Sequence, residues 1–538
     1  MELDEALRQL GDFGRYQTIV YLLISLIGQV PGSWHMLAIS FLGAVPEHHC
    51  KIPEGGSLED SIPHMVDPDM GQLEYDSCTV YVQDGTESNR TKECDQWEYS
   101  KEPYGDTIVN EWDLVCDQSN LVEISQSVFM AGVMVGSILF GQLSDRFGRK
   151  PILFVSLALQ VVVGTVVVFS PSIVFFTVVR FFVGVLEQGY DITSYVMVTE
   201  LFTPRRRAYA GILLTNFWAL GIMSLPLLAW LIQDWRYLQL AITLPLLLAL
   251  PLWWFIPESP RWLLSVGKYR KANNVLAKIA RFNGKEADSV QLSSNHKYDG
   301  TDGKEKGGEV ENSSKSDDVS IATATKEKSA TILDLFKSRL ILKITVVMMF
   351  VWCVNAVIYY GLSLNTGSLA GDPYLNFFLS GAVEIPSYVL AVFVVSWFGR
   401  KIPVCFFHVL AGLACAVTVF IPQTSSQGKD LTPLIITTAM TGKFAIAASY
   451  AIVFLYASEL FPTVVRNVGI GVLSFSSRIG GIIAPLMILL EDSYPKVPMV
   501  IFGILSLLAG FAILVLPETK GQVQPQTIED LNRTWKQR

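Results

Sequence analysis

The sequence predicts an all-α polytopic membrane protein, with twelve transmembrane helices in two six-helix halves and a large extracellular loop after helix one. Three observations carry that prediction. Of the 538 residues, 51% are hydrophobic and only 17% charged, whereas an ordinary soluble domain carries about a quarter charged residues. The apolar residues are bunched into runs long enough to cross a bilayer, which takes about 20 residues each. Short signatures from the first half of the chain also recur, in order, in the second. The net charge of −8 comes from 41 basic and 49 acidic residues, with no basic face to hold DNA or RNA, so nucleic acid is excluded as a partner.

The first run covers Gln17 to Val45 and contains Trp34 and His35 behind a polar N-terminal flank, so it reads as a retained helix rather than a cleaved signal. The polar stretch 46–120 then reads as one folded loop. Further runs near Leu121 to Leu143, Pro151 to Ser170, Ile173 to Thr199, Ala208 to Ile232 and Tyr237 to Ile256 complete a first half at 1–262. The linker 263–339 is rich in Lys, Glu, Asp, Ser and Gly. Its composition from Asn283 to Lys328 cannot bury enough apolar surface to stay packed and predicts disorder, while Tyr269 to Ile279 has the spacing of an amphipathic surface helix. Six more runs begin near Leu340, Tyr374, Ile402, Leu431, Asn467 and Pro498, giving a second half at 340–521 and a tail at 522–538.

Basic residues set the orientation. Arg146, Arg149 and Lys150 follow the second run, Arg205, Arg206 and Arg207 the fourth, and Arg400 with Lys401 the eighth, all on one side. The positive-inside rule therefore places both termini and the linker in the cytoplasm and the 46–120 loop outside. Four of the seven cysteines, Cys50, Cys78, Cys94 and Cys116, fall in that loop, where oxidising conditions favour disulfides in any of three connectivities. The loop also carries the glycan acceptor Asn89, in the sequon Asn89, Arg90, Thr91.

The recurrent signatures lie about 250 to 260 residues apart, as expected of a duplicated six-helix unit. SDRFGRK (Ser144 to Lys150) answers SWFGRK (Ser396 to Lys401), TELFTP (Thr199 to Pro204) answers SELFPT (Ser458 to Thr463), and IPESPRW (Ile256 to Trp262) answers LPETKG (Leu516 to Gly521). Two halves that close against each other through charged helix ends suit alternating access. With GDFGRYQ (Gly11 to Gln17), PEHHC (Pro46 to Cys50), EWDLVC (Glu111 to Cys116), GAVEIP (Gly381 to Pro386) and FPTVVRNVG (Phe461 to Gly469) added, the chain resembles the major facilitator superfamily over essentially its whole length. Within it the resemblance is to the organic ion transporters of solute carrier family 22, most closely the animal organic cation and carnitine branch. The resemblance implies a polyspecific secondary or facilitative transporter of small organic cations or zwitterions such as carnitine, with Na⁺ or H⁺ as coupling ion where one is used and no cofactor. It also implies the pairs Cys50 with Cys94 and Cys78 with Cys116, although the family commonly has six cysteines in this loop and this chain has four.

Ionised side chains at bilayer depth cost several kcal/mol unless they face protein or water, so each marks a functional candidate. Glu187 and Asp191 lie one turn apart in helix four, Glu384 in helix eight, Lys443 in helix ten and Arg478 in helix eleven. A pair of acids suits a cationic amine; the family position matched by Asp191 faces substrate and is often aromatic. Resemblance assigns Glu384 to cation recognition, the alternative being a buried pair with Lys443. Arg478 stands where many cation carriers have Asp and where anion and carnitine carriers have Arg, and its guanidinium can hold a carboxylate through two parallel hydrogen bonds; the alternative is that it neutralises Asp191 or Glu384. Trp218, Trp352 and Tyr359 supply aromatic faces for a cation, the latter two at positions that the family uses in its cavity. The expected binding set is Asp191, Trp218, Trp352, Tyr359, Glu384, Lys443 and Arg478. Asp145, Arg146, Arg149, Glu200, Glu258, Arg261, Arg400, Glu459 and Arg466 sit at helix ends and read as gating charges between the halves, whose network biases the conformational equilibrium.

No enzyme is expected: EHHC at Glu47 to Cys50 lacks the surrounding zinc-ligand spacing of a protein acyltransferase. No GxxxxGK[ST] loop occurs, so ATP is not the energy source. The competing transport reading is an organic anion exchanger using Lys443 and Arg478.

Overall fold

A computed structural model of the chain describes residues 3–11, 14–52, 57–66, 73–82, 90–286, 292, 332–367, 369, 371–425, 428–490, 494, 496–522 and 525–536. Asn89 and most of the Asn283 to Lys328 stretch lie outside the described residues. An amphipathic α1 (Leu3–Leu10) precedes α2 (Arg15–Leu37), which the single turn α3 (Ile39–Leu42) extends. After a loop carrying α4 (Leu58–Ser61) and α5 (Ile108–Trp112) come α6 (Leu121–Phe147), α7 (Arg149–Val168), α8 (Ile173–Glu200), α9 (Pro204–Leu231) and α10 (Trp235–Thr243). Two short helices, α11 (Pro260–Ser265) and α12 (Tyr269–Phe282), close this half at the end opposite the loop, the linker end. The second half runs α13 (Arg339–Leu364), α14 (Pro373–Ala382), α15 (Glu384–Phe398), α16 (Lys401–Phe420), α17 (Thr432–Leu460), α18 (Arg466–Ile488) and α19 (Val497–Ile513), followed by α20 (Ile528–Lys536).

Eleven helical stretches among the described residues are long and apolar enough to span a membrane. The twelfth, α19, has 17 residues, but Leu514, Val515 and Leu516 continue it through backbone bonds to the carbonyls of Phe511, Ala512 and Ile513. That brings it to about the 20 residues a span needs. Leu248 and Phe420 are 80% and 82% exposed on the outer surface, a disposition suited to hydrocarbon rather than water.

Two spans depart from regular helix where proline forces it. In the sixth, Pro245 and Pro251 lack N–H donors, and α10 passes into a 3-10 helix over Leu244–Trp254. In the eighth, Pro386 cannot donate to the Ala382 carbonyl, and the helix divides at Val383 into α14 and α15. The break puts Glu384 at the head of α15, fully buried.

Within the first half α8 packs on α6 and α7, and within the second α18 packs on α13 and α16 on α17 and α19. The halves meet through α6 against α18 and α9 against α14 and α15. Contacts between them concentrate toward the loop end. Phe41 stacks on Tyr374 with ring centroids 5.4 Å apart and meets Phe377 at 5.0 Å, Ser127 Oγ donates to the Ile482 carbonyl at 3.1 Å, and Gly381 lets α14 approach the Ile222 side chain and the Met223 backbone N of α9.

Among its described residues the loop holds three antiparallel strand pairs, β1 (His48–Cys50) with β6 (Trp97–Tyr99), β2 (His64–Val66) with β3 (Leu73–Tyr75), and β4 (Thr79–Tyr81) with β5 (Thr91–Glu93). Its disulfides are Cys50–Cys94 and Cys78–Cys116, the pairing that the resemblance implies. Cys50 therefore has no free thiol, and His48 and His49 turn their Nδ1 atoms to the carbonyls of Pro46 and Cys50. The loop is tied to both halves: Asp106 N–H donates to Gln233 O at 2.9 Å, and Tyr374 Oη to Pro103 O at 2.9 Å.

Candidate functional site

The repeated signatures build the same lock twice at the linker end. Gly148 and Gly399, at φ +108° and +90°, turn the chain between α6 and α7 and between α15 and α16, a backbone region that side chains with Cβ avoid. The turn aims the first N–H groups of the following helix at one carboxylate. Glu258 accepts from Arg149 N at 3.0 Å, Lys150 N at 3.3 Å and Ser259 N at 2.8 Å; Glu518 accepts from Arg400 N, Lys401 N, Thr519 N and Lys520 N, all within 3.1 Å. An acid at a helix N-terminus satisfies unpaired donors and the helix dipole together. Each turn also projects an arginine: Arg149 pairs with Asp145 at 2.9 Å and Glu200 at 3.2 Å, and Arg400 with Glu459 at 2.8 Å.

These bonds join elements of the same half. Arg261 pairs with Asp4 of α1, Arg466 donates to Thr463 Oγ1 at 3.2 Å, and exposed Arg146 lies 5.4 Å from the Phe147 ring. Glu518, absent from the expected gating set, is the second-half counterpart of Glu258; the PES and PET signatures are the signal that finds it. The two carboxyls differ electrostatically. Burial holds Glu258 above the usual glutamate range against its three backbone donors, whereas at Glu518 burial pushes up but the four backbone donors bring it below.

The ionised residues of the spans gather in two clusters. In the second half, Lys443 Nζ lies 2.9 Å from Glu384 Oε1 with both side chains buried. It also bonds Ser363 Oγ and sits 3.5 Å over the Tyr359 ring, while Tyr388 Oη donates to Glu384 Oε2 at 2.8 Å. Every partner in this cluster belongs to α13, α15 or α17.

The other cluster spans both halves. Arg478 Nη2 of α18 donates to Gln188 Oε1 of α8 at 2.9 Å, Gln188 Nε2 to Glu187 Oε2 at 2.9 Å, and Gln29 Nε2 of α2 to Asp191 Oδ1 at 2.6 Å. The Arg478 charge acts on both acids. Glu187 is fully buried, yet among the described residues its Oε1 has no hydrogen-bond partner, and neither has Arg478 Nε. Gly32 of α2 packs closely against this site: Glu187 Oε1 and Trp218 Cζ3 lie 3.2 and 3.5 Å from where a Cβ on Gly32 would stand. The Trp218 indole N–H in turn donates to Tyr359 Oη at 2.8 Å, bridging α9 to α13.

The structure thus gathers Asp191, Trp218, Tyr359 and Arg478 along the boundary between the halves and joins Glu384 and Lys443 to them through Tyr359. Trp352, whose buried indole N–H has no partner among the described residues, meets Phe454 in a tilted contact at 5.8 Å, and Phe454 meets Tyr195 across the halves at 6.1 Å. Glu187, Gln29 and Gln188 join the expected set; polar residues in the middle of apolar spans are the signal for them. Arg180 lies farther toward the loop end, bonded to Gln126 at 3.0 Å and stacked on Phe129 at 4.7 Å. There a cavity of about 350 Å³ opens between the halves, lined in part by Tyr104, Glu123, Gln126 and Asn365.

Comparison with known proteins bears on what this arrangement does. The family model described as "Sugar (and other) transporter" matches residues 77–535. The chain is 39% identical to the organic cation transporter protein of Drosophila melanogaster, over 98% of this chain and 94% of that one. It is 35% identical to mouse solute carrier family 22 member 21, over 100% and 94%, and 33% identical to human organic cation/carnitine transporter 2, over 99% and 94%. Among solved structures it matches the inward-open xylose transporter XylE of E. coli with a TM-score of 0.61 and 16% identity, over 96% of this chain and 100% of that one, a likeness of fold alone.

Proposed function

We propose, from the premise that the chain belongs to solute carrier family 22 of the major facilitator superfamily, that it carries small organic cations, or zwitterions bearing a cationic group, across the plasma membrane. It is a membrane transporter, not an enzyme. The substrate reading rests on one observation: a fully buried Glu187 whose Oε1 has no hydrogen-bond partner among the described residues, at the boundary between two halves that must separate in alternating access. An unsatisfied buried carboxylate oxygen is costly, and a cationic group held between it and the face of an aromatic ring would offset that cost electrostatically. Glu187, Asp191 and Glu384 against Lys443 and Arg478 leave one negative charge over.

Lys443 is spent on Glu384, which leaves an organic anion only Arg478 and places it beside two acids, so the anion exchanger is disfavoured. A zwitterion such as carnitine would set its carboxylate on the free side of Arg478 and its ammonium on Glu187. The halves divide as 1–262 and 340–521 about a cytoplasmic linker, with the loop outside, and the positive-inside count supports that orientation. For a monovalent cation a potential of about −60 mV supplies roughly 1.4 kcal/mol, enough for about tenfold accumulation. A net-neutral zwitterion gains nothing from voltage, and Na⁺ or H⁺ on the Glu187 and Asp191 pair would drive it. Uptake of tetraethylammonium, carnitine and a dicarboxylate into expressing cells, with Na⁺ and voltage varied, tests this: the first should enter as a function of voltage, and entry of the dicarboxylate alone would overturn the proposal.

A further inference from the structure

Away from the transport path, a run of uniformly basic charge lies on α12 and its flanks. From Lys268 to Lys285 the chain has six bases, Lys268, Arg270, Lys271, Lys278, Arg281 and Lys285, and no acid, in a protein of net charge −8. All six are exposed, because the helix turns its other face, Ala272, Leu276, Ile279 and Ala280, into the first half. Lys278 and Arg281, three residues apart and so on one face, line a shallow groove of about 510 Å³ with Asn274, Ala277 and Phe282.

Contacts fix the depth of that groove relative to the bilayer. Lys278 Nζ donates to the Phe255 carbonyl at 3.4 Å and lies 5.9 Å from the Phe255 ring, where the sixth span ends. Lys150, heading α7, sits 4.6 Å over Trp253, and the adjacent Trp254 is 78% exposed. Tryptophans facing outward at the end of a span mark the headgroup level. Lys150 is also close enough to Lys278 for the two charges to repel, so an anion between them would be held by both.

We propose that this face is a binding site for the phosphorylated headgroup of an anionic phospholipid, anchoring α12 and with it the linker end of the first half to the leaflet. Lys278 and Arg281 hold the phosphates from the groove, Lys150 approaches from the span end, and Trp254 and Phe282 lie against the acyl boundary. A basic face at headgroup depth attracts anionic lipid at close range. This goes beyond the cargo proposal and is independent of it.

The full chain is reconstituted in bilayers of phosphatidylcholine with a minor fraction of phosphatidylinositol 4,5-bisphosphate, and the lipids retained after extraction are counted by native mass spectrometry. Wild type should retain the anionic lipid preferentially, and Lys278→Gln with Arg281→Gln should reduce retention about tenfold. Lys278→Arg with Arg281→Lys should keep it, as should Arg270→Gln with Lys271→Gln outside the groove. Equal retention by the glutamine groove variant, equal loss in the Arg270 and Lys271 variant, or displacement of the lipid by inorganic phosphate alone would overturn the proposal.

Discussion

The two buried charge clusters invite comparison because they contain the same chemistry and use it oppositely. Around Glu384 and Lys443 each ion meets its opposite at 2.9 Å, with Tyr388 and Ser363 taking up further bonds, and every partner comes from the second half. Around Glu187, Asp191 and Arg478 the ions are linked through amides, the cluster draws on both halves, and one carboxylate oxygen and one guanidinium nitrogen remain without hydrogen-bond partners among the described residues. A closed pair lowers the cost of burial within one rigid body. An incomplete cluster between two bodies keeps polar atoms available for a ligand, and its bonds must be remade whenever the halves move.

The largest effect should therefore come from opening the closed pair. Lys443→Met leaves Glu384 buried and uncompensated, a loss of about 3–5 kcal/mol, visible as a sharp fall in melting temperature of the purified protein. Lys443→Met with Glu384→Gln removes both charges and should recover most of that stability. If the double variant folds yet no longer carries tetraethylammonium, the pair handles cargo as well as holding α13, α15 and α17 together, and the contrast between the clusters narrows.

Glu187→Gln should do the reverse. The amide fits the same space and leaves the melting temperature near wild type, but it removes the charge that attracts a quaternary ammonium, an interaction of about 3 kcal/mol at about 5 Å and an effective dielectric of about 20, so tetraethylammonium uptake should fall about ten- to hundredfold. A cargo-independent loss of folded protein would instead make Glu187 structural. Arg478→Ala should cost carnitine about tenfold, the loss of a charge-assisted bond, and spare tetraethylammonium. Equal loss of both substrates would mean that Arg478 serves only to hold Gln188.

These contrasts mark how far the sequence alone could reach. The spans are legible because a helix in hydrocarbon must satisfy its own backbone and show an apolar surface all round, so the expected run Ile173 to Thr199 meets α8 at Ile173–Glu200. Locks at the helix ends are legible because the motif occurs twice. What hydropathy cannot supply is azimuth. Depth along helix four singles out Glu187 and Asp191 equally, and resemblance favours Asp191, but only the neighbouring helices show that Gln29 satisfies Asp191 Oδ1 while Glu187 Oε1 has no hydrogen-bond partner among the described residues. Likewise Glu384 reads as cavity lining or as a Lys443 partner until α15 and α17 are set side by side, and the structure shows the pair.

The smallest effect distinguishes the twin locks. Glu258 has its carboxyl raised by burial, so folding favours its protonated form; its contribution to stability is complete below the unfolded range near about 4.3 and is lost as pH rises through the folded value. Glu518 has its carboxyl lowered because four backbone donors outweigh burial, so its contribution is present above that range and is lost as pH falls through the folded value. Near neutral pH, Glu518→Gln should lower the melting temperature more than Glu258→Gln, since only the former removes a favoured charge. The gap should close as the pH is brought down through the glutamate range, where both carboxyls in the parent protein take up protons. Melting curves of the two variants across pH test this, and a larger effect of Glu258→Gln at neutral pH would show that its caps on Arg149 and Lys150 depend on the ionised form despite its burial.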